Sequence, residues 1–185
     1  VSTYYGGLSV TATEPTMTKN KTMNALGLVI SSTDTPGGTI TYKYDATGNM
    51  LESDYHGIKM TLTYDNWGRK QSLVDTSVGT YSYSYDAFGQ VKTEITPKGS
   101  TVYTYDDFGK MLTKSIQGNT TADFTNIVST YSYDPTNKWL TNIAVVNPND
   151  GNNNYAYTYD NTTKQLNKTI ETLYPVGSMT PIATF

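Results

Sequence analysis

One five-residue pattern constrains this chain more than any other feature: a tyrosine, an aspartate, two variable residues and a glycine. Tyr44-Asp45-Ala46-Thr47-Gly48 returns as Tyr64-Asp65-Asn66-Trp67-Gly68, then Tyr85-Asp86-Ala87-Phe88-Gly89, then Tyr105-Asp106-Asp107-Phe108-Gly109. Successive tyrosines lie 20, 21 and 20 positions apart. A fixed period of this length means one supersecondary unit stacked many times. A worn copy, Met23-Asn24-Ala25-Leu26-Gly27, precedes the first by 21 positions. Two later copies, Tyr133-Asp134-Pro135-Thr136-Asn137 and Tyr159-Asp160-Asn161-Thr162-Thr163, follow at gaps of 28 and 26. Both lack the glycine, and Asn137 is expected to supply the left-handed residue in its place. The extra length falls around Gly118–Thr125 and in the polar loop Asn147–Asn154.

Each copy carries its own structural instruction. Before the Tyr-Asp pair the residues alternate: Ile40, Tyr42 and Tyr44 share one face, and Thr39, Thr41 and Lys43 the other. Met60, Leu62 and Tyr64 repeat the pattern, as do Tyr81, Tyr83, Tyr85 and Tyr155, Tyr157, Tyr159. Period two over five or six residues predicts a strand. Asp then suits the first position of a type I turn, because its carboxylate accepts the backbone N–H groups ahead. Gly at the fourth position takes φ > 0 without a Cβ clash, closing a hairpin with a glycine bulge. Gly38, Gly57, Gly79, Gly99 and Gly118 mark the other end of each unit. Each repeat therefore reads strand, turn, strand, turn, with strands at Met50–Tyr55 and Ile58–Tyr64 as one instance. The predicted fold is all-β, an antiparallel meander in which tyrosines stack from repeat to repeat. A lone hairpin is marginal in water, so the array is the folding unit.

Composition narrows the alternatives. Tyrosine supplies 17 residues, against 4 phenylalanines and 2 tryptophans, a bias toward pleated surface. Charged residues make up only 16%, too few for a chain kept disordered by its charge. A net charge of −3 leaves no electrostatic footprint for a nucleic-acid partner. With 0 cysteines, disulfide frameworks and thiolate metal sites are excluded. No apolar run approaches the roughly 18–20 residues of a membrane-spanning helix, and no direct membrane insertion is expected. Val1 opens the chain without a basic-then-apolar leader, and Thr184-Phe185 ends it without a closing element. We expect a segment cut from a longer protein, any signal peptide lying upstream.

The recurring Tyr-Asp-x-x-Gly followed by a short strand, as in Tyr85-Asp86-Ala87-Phe88-Gly89-Gln90-Val91, resembles the YD-repeat (Rhs-repeat) family. The resemblance spans about Met23 to Gln165. Members include Rhs polymorphic toxins, wall-associated proteins, insecticidal toxin complexes and teneurins. It implies a long, curved β-sheet strip that spirals into a hollow shell, which in toxin members encloses a C-terminal toxic domain. It divides the chain into lead-in strands (1–22), the repeat array (23–169) and a linker or truncated edge strand (170–185). The ending of the stricter Rhs core, with its Asp-Pro-x-Gly and autoproteolytic aspartates, is absent. Pro97-Lys98-Gly99 and Asp134-Pro135 are isolated turn signals, so neither cleavage nor toxicity is assigned to a residue here.

The aspartates Asp45, Asp65, Asp86, Asp106, Asp134 and Asp160 invite comparison with calcium-binding β-rolls, but those need a nine-residue glycine pattern that is missing. Turn capping is the expected role. His56, the one histidine, precedes Gly57 in a turn and has no second ligand or triad partner. Trp67, Phe88 and Phe108 occupy equivalent turn positions and are expected to pack over the next repeat. Their alternative, with Trp139, is a platform for stacking sugars. Asn119-Thr120-Thr121, Asn161-Thr162-Thr163 and Asn167-Lys168-Thr169 match the N-glycosylation pattern.

These readings predict a structural repeat segment, not an enzyme, with no cofactor and no metal. Its expected partners are the flanking repeats and a C-terminal domain of the same parent chain. The resemblance implies a secreted or cell-surface location. The competing reading is a carbohydrate-binding adhesin module that takes a surface glycan on its aromatic side chains.

Overall fold

The computed structural model describes the backbone of residues 2–6 and, with side chains, residues 8–119 and 125–185. Much of the expected insertion at Gly118–Thr125 and two residues of the Asn119-Thr120-Thr121 acceptor lie outside these. Among the described residues there are seventeen strands and no helix. The chain divides into two compact units, residues 1–82 and 83–185.

The first unit holds β1 (Ser2–Gly6), β2 (Ser9–Glu14), β3 (Met17–Met23), β4 (Val29–Thr35) and β5 (Gly38–Tyr44). It continues through β6 (Met50–Tyr55), β7 (Ile58–Tyr64), β8 (Lys70–Asp75) and the start of β9 (Gly79–Tyr85). Each strand pairs antiparallel with the next in sequence. The second unit takes in the end of β9, β10 (Val91–Thr96), β11 (Gly99–Tyr105), β12 (Met111–Gly118) and β13 (Asn126–Tyr133). It is completed by β14 (Leu140–Val146), β15 (Asn152–Tyr159), β16 (Leu166–Tyr174) and β17 (Ala183–Thr184). From β10 onward these too form a consecutive antiparallel meander. The all-β repeat architecture expected from the sequence is observed, with the strands at Met50–Tyr55 and Ile58–Tyr64 where alternation placed them.

Alternation also sorts the two faces. In β5, Ile40, Tyr42 and Tyr44 are half-buried, whereas Thr41 and Lys43 are exposed. On the polar face Lys43 Nζ lies 2.8 Å from Glu52 Oε1, and Lys59 lies 3.7 Å from Glu52 and 3.4 Å from Asp54. The lysines of these cross-strand pairs are solvent-exposed and the carboxylates half-buried, and surface pairs of this kind contribute little individually. On the apolar side Leu62 faces Leu73 across β7 and β8. At 9% exposure Leu62 is the sole buried apolar side chain among the described residues. Stability therefore rests on neighbour-to-neighbour contacts along the ladder, not on a central core.

The turns opposite the Tyr-Asp motifs are tighter. Tyr55 pairs with Ile58 around His56 (φ 52°) and Gly57 (φ 86°), two successive left-handed residues. That is the two-residue hairpin geometry favoured by strand twist. Asp54 Oδ1 accepts the Gly57 N–H at 2.8 Å.

Candidate functional site

Among the described residues, the repeated Tyr-Asp turn is the chemical constellation that recurs. In the sharp copies the aspartate backbone closes a three-residue loop. Asp45 N–H donates to Asn49 O (2.9 Å), and Gly48 N–H donates to Asp45 O (3.2 Å). Asp65, Asp86 and Asp106 form the same pair of bonds with Arg69 and Gly68, Gln90 and Gly89, and Lys110 and Gly109. The glycines sit at φ between 75° and 94°, the left-handed residue of a type I turn with a glycine bulge.

The aspartate side chain caps this loop from inside. Asp86 Oδ1 accepts the N–H groups of Phe88 and Gln90, both at 2.9 Å. Asp65 does the same for Trp67 and Arg69, and its other oxygen takes the Arg69 Nε–H at 2.7 Å. Asp106 Oδ1 serves Phe108 and Lys110. In the worn first copy Asn24 Oδ1 replaces the carboxylate, accepting from Leu26 and Leu28 at 3.0 Å. An amide oxygen thus takes the same two N–H groups as the carboxylate does in the sharp copies.

The motif tyrosine closes the gap to the preceding repeat. Tyr44 donates its hydroxyl to Val29 O (2.8 Å), Tyr64 to Met50 O (2.9 Å) and Tyr105 to Val91 O (2.9 Å). Tyr133 reaches Met111 O (2.8 Å) and Tyr159 reaches Leu140 O (2.9 Å). Val29, Met50, Met111 and Leu140 each lie at a shift in strand register, where the ladder skips one residue: Ile30, Leu51, Leu112 and Thr141 are the extra residues. Bulges disrupt the ladder locally, and the next tyrosine bonds to the carbonyl beside the disruption. Tyr85, half-buried, ends β9 in the equivalent position.

Two expectations need correction. Asn137 is not the left-handed residue of its turn. Lys138 takes φ 64°, and Lys164 takes φ 63° in the last copy. Lys138 N–H bonds to Asp134 O and Asp134 N–H to Trp139 O, so this loop is one residue longer. Asn137 Oδ1 instead accepts the Trp139 N–H at 2.8 Å. Asp160 builds the same longer loop with Lys164 and Gln165. The second correction concerns the turn aromatics. Trp67, Phe88 and Phe108 are 84%, 82% and 82% exposed and do not pack over the next repeat. They stand second in the three-residue loop, whose N–H groups turn inward to the aspartate while these side chains face solvent.

The electrostatics follow from these bonds. Asp45 is held down at about 2, chiefly by the side chains of Asn49 and Thr47. Asp134 is lowered by the backbone N–H groups of Asn137 and Thr136, and Asp160 by those of Thr163 and Thr162. Partial desolvation pushes Asp65 upward, but the Arg69 and Trp67 donors outweigh it. Tyr64, Tyr105 and Tyr133 are raised by burial and then by the carboxylates of Asp45, Asp86 and Asp106. A tyrosine thus lies beside the aspartate of the preceding motif.

Between the Asp45 and Asp65 turns lies an open depression of about 850 Å³, with Asn49, Leu51, Tyr64 and Trp67 in its lining. A smaller one, about 330 Å³, separates the Asp86 and Asp106 turns. No cluster of three histidines, cysteines or acidic side chains suited to a metal occurs among the described residues. His56 is exposed, with its ring edge-on to Tyr55 at 4.6 Å.

Comparison with known proteins agrees with this geometry. The RHS Repeat family model matches residues 24–55 and 85–122. No curated protein matches the chain. Among solved structures, TcdB2-TccC3 superposes over 96% of this chain with a TM-score of 0.67 at 18% identity. TcdB2-TccC3-Cdc42 covers 90% at 0.66, and TcdB2-TccC3 without its hypervariable C-terminal region covers 84% at 0.64, each at 18% identity. The chain spans only 9% to 11% of those proteins' length. The matched stretches, residues 24–55 and 85–122, are RHS repeats, and the Tyr-Asp turns beyond them are built in the same way.

Proposed function

We propose that this chain is a structural segment of a much larger YD-repeat protein, one piece of a curved sheet that winds into a hollow shell. The shell would enclose a C-terminal domain of the same parent chain, and the parent would be secreted or displayed at a cell surface. Residues 44–48, 64–68, 85–89, 105–109, 133–138 and 159–164 act in this reading as repeat-defining turns. No residue has a catalytic role.

The observation that carries the reading is the self-contained repeat. Each unit satisfies its own turn through aspartate and its neighbour through tyrosine, so units add without a central core. Fold similarity to about a tenth of TcdB2-TccC3, a protein with a hypervariable C-terminal region, supports placing such a segment in a larger container. Electron microscopy of the full-length parent tests it. A closed particle with internal density is the expected result; an open rod or a solid particle would sink the shell.

Trp67 favours a second reading. Its indole is exposed beside an open depression lined by Asp45, Asn49 and Asn66, a setting in which a flat ring stacks on a sugar. A glycan array probed with the chain and with Trp67→Ala tests this adhesin function. Retention that survives the substitution would exclude Trp67 as the platform.

A further inference from the structure

The outer edge of β16 is incomplete in a way that the other repeats define. Glu171 exchanges both backbone hydrogen bonds with Phe185, at 3.1 and 2.9 Å. Thr169, two residues earlier on the same strand, turns its N–H and C=O groups to this same edge. β17 pairs only with Thr172 and Leu173, leaving the stretch from Leu166 to Ile170 uncovered. Leu166 is 55% exposed, whereas Val29, Met50, Val91, Met111 and Leu140, its counterparts two residues after each left-handed turn residue, are half-buried. Asp160 is exposed too, unlike Asp45, Asp65, Asp86, Asp106 and Asp134. What covers those counterparts is the following strand, whose tyrosine hydroxyl donates to each of their carbonyls.

We propose that this edge is a docking site for one occupant, the stretch of the parent chain that continues β17, and that it places a tyrosine hydroxyl on the Leu166 carbonyl. The proposal rests on the reading of this chain as part of a longer array. The register fixes where that tyrosine stands. Continuing Asn142↔Ala156 sets Leu140 opposite Thr158, one residue short of Tyr159. Continuing Thr113↔Thr130 sets Met111 opposite Ser132, one short of Tyr133. Ser31↔Thr41, Glu52↔Thr61 and Thr93↔Val102 lead likewise to Tyr44, Tyr64 and Tyr105. Applied to Thr172↔Thr184, the same count puts the tyrosine at the sixth position after Phe185, with the capping aspartate or asparagine at the seventh. The hydroxyl would cover Leu166 and the strand would shield Asp160.

Three extended chains test this by amide hydrogen exchange. Appending a copy of residues 100–109 after Phe185 places the copied Tyr105 at the sixth position; copies of 101–109 and 99–109 place it at the fifth and seventh. The sixth-position tail should slow exchange at Thr169 by about tenfold, and a tyrosine-to-phenylalanine change in that tail should reverse part of it. The other two tails should protect far less, because a one-residue slip exchanges the sheet faces. Equal protection by all three tails, or by none, would overturn the assignment. So would slowing in the unextended chain that grows with protein concentration, since a second copy would then fill the edge. None of these results depends on whether the parent forms a shell, which microscopy decides separately.

Discussion

The Tyr133 hydroxyl meets the Met111 carbonyl at 2.8 Å although 22 residues separate them, eight more than separate Tyr105 from Val91 and seven more than separate Tyr44 from Val29. Removing such a hydroxyl isolates its contribution. Tyr105→Phe and Tyr133→Phe should each lose about 1 kcal/mol in urea unfolding, the worth of one hydrogen bond to a half-buried carbonyl. Unchanged midpoints in both would mean that water replaces the hydroxyl at no cost.

Aspartate substitutions should separate capping from charge. Asp86→Ala removes the acceptor for two N–H groups and should cost about 1 kcal/mol, as lost caps do. Asp86→Asn should cost much less, because Asn24 already holds the equivalent turn with its amide oxygen. Thermal melts of the two variants decide this; equal losses would show that the charge, not the acceptor geometry, matters.

Acid should weaken the array through the lowered carboxylates. A depressed folded-state pKa contributes stability that is present above the unfolded value, near 4, and is lost as pH falls through the folded value. For Asp45 that window runs from about 4 down to about 2. Denaturant midpoints should therefore hold steady between pH 7 and 5 and decline below 4, and Asp45→Asn should flatten the decline. At the alkaline end the sign reverses. Tyr64, Tyr105 and Tyr133 are raised, so their contribution is intact below pH 10 and is lost as pH climbs through their folded values.

Two glycine-to-alanine changes should differ for a steric reason. Gly68 has φ 75° and open space where a Cβ would stand, so Gly68→Ala bears only the left-handed backbone cost of about 1–2 kcal/mol. At Gly99 a Cβ would lie 2.0 Å from the Gln117 carbonyl oxygen. Gly99→Ala should unfold the β11–β12 pairing locally, seen as faster amide exchange in Thr101 and Tyr103, while Gly68→Ala leaves its hairpin paired.

Strands and sharp turns were legible because each is dictated locally. Period-two alternation fixed the faces of β5 and β7, and Asp with Gly three positions later fixed the loop. What escaped was decided by single added residues. The loop at Asp134 gains one residue, and the left-handed position moves from Asn137 to Lys138 against side-chain preference. The bond from Asn137 Oδ1 to the Trp139 N–H stabilises that alternative and has no signature in the turn motif. The apolar character of Trp67, Phe88 and Phe108 pointed inward, yet loop geometry aims them at solvent. The tyrosine hydroxyl bonds were likewise hidden, since an acceptor carbonyl carries no side-chain identity.

The second unit has two unlike margins. The longer spacings before Tyr133 and Tyr159 place most of their additional residues between β12 and β13 and at 147–151, away from the Tyr-Asp loops, with one more in the loop at Asp134. Both tyrosines nonetheless reach their carbonyls at the usual distance. One border is ruled, the other ragged. New sequence can enter along the ragged side without disturbing the stitching of its neighbours, which makes it the side on which such an array can diversify.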